Sequence, residues 1–206
     1  MELHNYQELV HWVATPVMLV LYTMRIIILF RHRLTVDKSP DPKGELSKGI
    51  RDAFLTLVMP WKMESTRKHP LHYAEFMIFH LGIALNILLA YVFNFVYKIA
   101  WLNTTFMVII AAGLFVGIFR FIRRFTKPDL KIISVFDDYL SVFLVLAFNT
   151  FGILALMGNL WASFAYFTSV GIFLIYAPFS KVHHYLYYPF ARIFYGSGLA
   201  RKGIMG

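Results

Sequence analysis

The sequence predicts an all-α integral membrane bundle of five transmembrane helices, and three observations carry that prediction. Of 206 residues, 59% are hydrophobic and 15% charged, against about 45–50% and about 25% in an average soluble domain. Five apolar stretches, each near the ~20 residues that carry a helix across the hydrocarbon core, are joined by more polar segments. Lysine and arginine gather in alternate segments, as the positive-inside rule requires of a multi-pass chain. Together with a mean hydropathy of +0.61, these features exclude a disordered chain and argue against a soluble globular domain.

The spans are expected over 10–30, 72–97, 104–119, 135–157 and 161–188, within a single membrane domain covering 1–206. The first follows Glu2 and Glu8, with no basic residue ahead of it and no small-residue cleavage site behind it. That pattern argues against a cleavable signal peptide. The segment 31–71 opens on a turn-rich linker, Ser39-Pro40-Asp41-Pro42-Lys43-Gly44. Ile50, Ala53, Phe54, Leu57 and Val58 then recur at helical spacing beside Lys48, Arg51 and Asp52. This predicts a short amphipathic helix between spans 1 and 2, lying on the membrane surface or docked on a partner. The third span is the shortest. The fifth passes Phe179 into the aromatic run 185–190.

Eighteen of the twenty Lys and Arg residues fall in 31–71, 120–134 and the tail from Lys181; the exceptions are Arg25 and Lys98. The expected topology therefore has the N-terminus outside and the C-terminus in the cytoplasm, in the cytoplasmic (inner) membrane. The net charge of +9 reads as topology rather than as a nucleic-acid footprint. A basic cytoplasmic face also suits anionic lipid or an acidic partner. The chain has no Cys, which removes iron–sulfur ligation, c-type haem attachment, disulfides and a thiol nucleophile.

Ionisable side chains inside a span are costly and point to function. His80 lies inside the second span, roughly 12 Å beyond His72 at about 1.5 Å per residue. His183 and His184 lie near the cytoplasmic end of the fifth. If that span runs to Tyr188, His184 sits roughly 6 Å inside it. Two imidazoles from different helices at similar depth can grip one haem iron from opposite faces. A lone buried histidine can equally well just hydrogen-bond a neighbour. His183 and His184 point about 100° apart on a helix, so only one can face His80, and spacing does not choose between them. The His69/His72 pair has metal-chelating spacing, while boundary histidines also sit simply among headgroups.

Other polar residues carry two readings each. Asp137 and Asp138 suit proton exchange near a quinone or a haem, or the positive end of a helix dipole. Arg120, Arg123, Arg124 and Lys181 suit haem propionates, or are positive-inside residues. Gly113 and Gly117 form a G-x-x-x-G that suits close helix packing or room beside a flat cofactor. Asn86, Asn94 and Asn149 are expected to hydrogen-bond between helices.

The string Phe79-His80-Leu81-Gly82-Ile83 resembles the F-H-x-G-I segment of the cytochrome b (gamma) subunit of respiratory nitrate reductases. Pro178-Phe179-Ser180-Lys181-Val182-His183-His184 resembles the P-F-S-[RK]-x-x-H segment that ends the last span of that family. The stretch from Lys68 to Phe76, with Met59-Pro60-Trp61 upstream, is more similar to related membrane cytochromes b of sulfate-reducer and heterodisulfide-reductase-type complexes. The five-span layout extends the resemblance over nearly the whole chain.

The resemblance implies one haem b held by His80 and His184, with His183 as the alternative ligand, and no catalytic residue on this chain. Two-haem members carry a second histidine pair; Ala90 and Tyr166 stand at the corresponding positions here, which implies a single haem. His11 remains as half of an unusual second site, without an obvious partner at its depth. The resemblance further implies a subunit of a respiratory electron-transfer complex in anaerobic respiration, relaying electrons between the membrane and a cytoplasmic iron–sulfur subunit. The membrane side would be a quinone such as menaquinone, or a partner membrane subunit. The alternatives are a haem-free membrane anchor and, more remotely, a small transporter, which would call for broken helices with paired polar sites at mid-membrane.

Overall fold

The computed structural model describes residues 2–31, 44–59, 61 and 64–203. The Ser39–Lys43 part of the predicted linker, His32 and Pro60 lie outside them. Among the described residues the structure is helical and contains no strand: α1 (Leu3–Arg31), α2 (Leu46–Val58), α3 (Glu64–Lys68), α4 (Pro70–Lys98), α5 (Ala100–Thr126), α6 (Pro128–Ile133), α7 (Phe136–Leu156), α8 (Leu160–Tyr176) and α9 (His184–Arg201). Among the described residues, five helices are long and apolar enough to cross a membrane: α1, α4, α5, α7, and α8 with its extension to Phe179. Trp12, Phe115, Phe136 and Trp161 are each more than three-quarters exposed. Apolar surface on that scale belongs against lipid tails rather than water.

The chain forms two compact units, Met1–Thr23 with Ala74–Val182, and Met24–Tyr73 with His183–Gly206. In the first, α7 packs against both α5 and α8. Helices α4 and α5 touch backbone to backbone where Gly82 meets Gly113: a Cβ added to Gly82 would stand 2.8 Å from the Gly113 Cα. Gly117 meets the Phe79 ring and Leu146 instead. The two glycines of the third span therefore serve close packing, each against a different neighbour.

The core of this unit gathers Leu89, Phe93, Ile110, Phe148, Tyr166 and Phe167. At its centre is a polar knot. Asn86, with no exposed surface, donates through Nδ2 to the Phe148 carbonyl (3.0 Å) and to Asn149 Oδ1 (2.9 Å). The Tyr166 hydroxyl donates to the Asn86 carbonyl at 2.7 Å. The amide of Asn86 occupies the space that the missing side chain of Gly152 leaves. Interhelical hydrogen bonds of this kind tie α4, α7 and α8 together where hydrophobic burial cannot discriminate between neighbours. Asn94 reaches Gln7 on α1 at 3.4 Å, so all three asparagines bond between helices as expected.

The α7–α8 connection turns on Gly158, whose φ of +87° only glycine adopts without strain. Asn159 then caps α8 by accepting from the Ala162 N–H at 3.0 Å. The third span, expected over 104–119, is part of a longer helix, because α5 continues through Arg120, Arg123 and Arg124 to Thr126.

The fifth span departs more from expectation. The helix does not run to 188: α8 ends at Tyr176, a 3₁₀ turn follows at Ala177–Phe179, Ser180 is extended, a second 3₁₀ turn covers Lys181–His183, and α9 begins at His184. Pro178 has no N–H to continue the ladder, and the Lys181 N–H is taken by Asp137 Oδ2 at 2.8 Å. The rise-per-residue ruler that set the depth of His184 therefore does not extend to it.

In the second unit α2 packs on α9. A Cβ on Gly49 would stand 2.5 Å from the Gly196 carbonyl oxygen, and one on Gly196 would stand 2.5 Å from the Ile50 Cα. The Gly44 N–H donates to the Ala200 carbonyl at 3.1 Å, and Ala53 is buried. The predicted amphipathic helix exists, and its docking partner is a helix of its own chain.

Candidate functional site

His80 lies nearly three turns into α4, in the first unit. Its Nδ1 stands 2.8 Å from the Phe76 carbonyl oxygen. A carbonyl only accepts, so Nδ1 carries the proton and the lone pair of the neutral ring is on Nε2. The ring is flanked by Phe76 (centroids 4.0 Å apart) and by Phe79 (5.5 Å, edge-on). The sharp approach of Gly82 to Gly113 one half-turn later fixes the rotation of α4 about its axis, and so the face on which His80 is presented.

Arg120 places its guanidinium 5.3 Å from the centre of the Phe79 ring. Among the described residues Arg120 is in no ion pair, whereas its neighbours are engaged. Arg123 pairs with Glu75 at 3.0 Å. Arg124 donates to Ser134 Oγ at 2.9 Å and lies 3.9 Å from Asp138. Lys181 Nζ donates to Asp138 Oδ2 at 2.7 Å.

His183 and His184 belong to the second unit. His183 is the residue before α9 and meets the edge of the Tyr187 ring at 5.2 Å. His184 is the first residue of α9 and is exposed. The structure thus puts His80 in one unit and both alternative partners in the other.

The residues immediately before these histidines are firmly anchored within the first unit. Asp137 accepts from the Tyr176 hydroxyl and from the Lys181 N–H, and Ser141 Oγ is 3.1 Å from the same hydroxyl. Asp138 accepts from the Val135 N–H at 2.9 Å, capping α7, and from Lys181 Nζ. Both aspartates therefore clamp the start of α7 to the break after α8. Tyr176 and Ser141 were not singled out by sequence reasoning. The only signal for them was the Pro178-x-Ser180 interruption, which implies released backbone donors that some acceptor must satisfy.

Ala90 and Tyr166 are wholly buried in the packed core, with the Tyr166 ring stacked on Phe148 at 5.4 Å. His11 stacks on Tyr91 (5.1 Å) and meets Phe167 edge-on (6.0 Å); its Nε2 is buried with no hydrogen-bond partner among the described residues. His69 and His72 lie together at the start of α4. No protein-family model matches this chain, and neither a curated protein nor a solved structure does.

Proposed function

We propose that this chain is the haem b-carrying membrane subunit of a respiratory electron-transfer complex. The observation that carries the reading is the His80 Nδ1–H bond to the Phe76 carbonyl. A histidine that would hold a haem iron suits that arrangement: its other nitrogen donates to a backbone or carboxylate acceptor, which fixes the tautomer and leaves the ring lone pair on Nε2. His80 thereby fits a ligand role, and the phenylalanines beside it suit the face of a macrocycle.

His184 is the second ligand in this proposal and His183 the alternative, on the strength of the motif resemblance. Arg120, about one turn before the ion-paired Arg123, suits a propionate. When bound, the haem supplies one-electron transfer. The chain's own residues hold and orient it, exclude water with apolar side chains, and offer no substrate chemistry, so any enzymatic label belongs to the whole complex. The burial of Ala90 and Tyr166 within stacked aromatic rings favours a single haem over two.

One haem does not bridge a hydrocarbon core about 30 Å thick. Electrons would pass to or from a cytoplasmic iron–sulfur subunit on one side, and a menaquinone-type quinone or another membrane subunit on the other. The orientation, N-terminus outside in the cytoplasmic membrane, rests on the lysine and arginine distribution.

The test is the pyridine haemochrome of the purified chain. One haem b per chain is expected. None would turn the reading to a haem-free anchor of the same kind of complex, and two would overturn the assignment of Ala90 and Tyr166.

A further inference from the structure

The clustered histidines at the head of α4 form a second candidate site, independent of the haem proposal and contained in the second unit. His69 precedes α4 and His72 lies in its first turn; the Tyr73 N–H donates to the His69 carbonyl, so the turn between them is already helical. Their rings stand 5.7 Å apart, centre to centre, at 66°. They open onto a shallow cavity of about 420 Å³ lined by these two residues with Thr66 and Tyr73.

That separation has chemical meaning. A metal about 2.1 Å from each coordinating nitrogen lies roughly 3.2 Å from each ring centre, and a tetrahedral angle between the two bonds then parts the centres by about 5.2 Å. The observed spacing is within reach of that value by a small rotation about χ1, with χ2 turning the nitrogens toward the shared ion, and the cavity leaves room for both. Both rings are exposed, so binding need not open the fold.

We propose that His69 and His72 chelate one late first-row divalent cation, of the Zn²⁺, Cu²⁺ or Ni²⁺ class, at the start of α4. Imidazole selects these ions over Mg²⁺ and Ca²⁺, which take oxygen ligands. Among the described residues no third His, Asp or Glu joins the pair, so water fills the remaining positions. Glu64 on the preceding helix is engaged with Lys68 at 2.7 Å. The positive charge of Arg67 nearby works against any cation held by charge alone. A site here must therefore draw its affinity from nitrogen coordination.

The experiment uses the full chain in detergent, without a polyhistidine tag, titrated with Zn²⁺ and separately loaded with one equivalent of Cu²⁺ for electron paramagnetic resonance. We expect one saturable Zn²⁺ equivalent and a copper spectrum showing two coupled nitrogens. Even an outer-shell change costs metal affinity roughly tenfold or more, so His69→Ala and His72→Ala should each weaken Zn²⁺ at least tenfold. His80→Ala, which removes the proposed haem ligand, should leave this binding intact, keeping the two sites distinguishable. Unchanged affinity in His69→Ala/His72→Ala, or a copper spectrum with a single nitrogen, would overturn the proposal.

Discussion

His80→Ala protein is expected to lose the low-spin b-type spectrum entirely, whereas His183→Ala keeps it. The first change removes an imidazole whose tautomer is fixed by a helix carbonyl, Phe76 at 2.8 Å; no neighbouring side chain on that turn of α4 replaces it, since Phe76 and Phe79 flank the ring. His184→Ala should behave like His80→Ala, leaving haem lost or converted to a high-spin form with one axial ligand. His183→Ala removes an edge contact with Tyr187 but, in this proposal, no haem ligand. Optical spectra of the three variants, normalised to protein, check this directly. A normal spectrum in His184→Ala with a lost one in His183→Ala would exchange the roles of the two adjacent residues.

Gly82→Leu is expected to be the most damaging packing change in the membrane bundle. A single added Cβ would already stand 2.8 Å from the Gly113 Cα and 3.3 Å from the Ile109 carbonyl oxygen. Both are backbone atoms, so no flexible side chain can yield, and α4 and α5 must part. Overpacking typically costs about 1–3 kcal/mol and occasionally more; a backbone-to-backbone crossing places this substitution at or above the upper end, about 3 kcal/mol. Separating the helices also disturbs the Asn86 knot one turn further on. The contrast is Gly198→Ala on α9, where an added Cβ meets nothing within 4 Å. There the gain in helix propensity, about 1 kcal/mol, should stabilise. Unfolding of both variants in mixed detergent micelles, followed by circular dichroism, separates the two outcomes.

These residues also mark what the sequence makes legible. Apolar length and apolar spacing are one-dimensional properties, so the five spans and the short helix between the first two could be read from the sequence alone. Helix ends were less accessible. The polar Asn103 and the Arg120–Arg124 group look like loop residues, yet α5 carries them as helical turns from Ala100 to Thr126. In the fifth span the aromatic run 185–190 hid the break that Pro178 and Ser180 announce, since apolar composition cannot tell one helix from two.

Partners were the least legible. Gly113 and Gly117 share a motif, but one meets Gly82 and the other meets Phe79 and Leu146. The spacing shows which face is small, not which helix will lie against it. Asp137 and Asp138 were recognisable as polar residues at a helix start. That they hold the chain just before His183 depended on Lys181 coming back to them across 43 residues and more. His80 was visible because an imidazole in an apolar run is rare; its fixed tautomer needed the helix carbonyl in three dimensions.

The most direct test of the proposed ligation is near-infrared magnetic circular dichroism of the oxidised wild-type protein, whose charge-transfer band reports the two atoms bound axially to the iron. A bis-imidazole band is expected, disappearing in His80→Ala. A band belonging to imidazole with a thioether or an amine, or no haem band at all, would contradict the account.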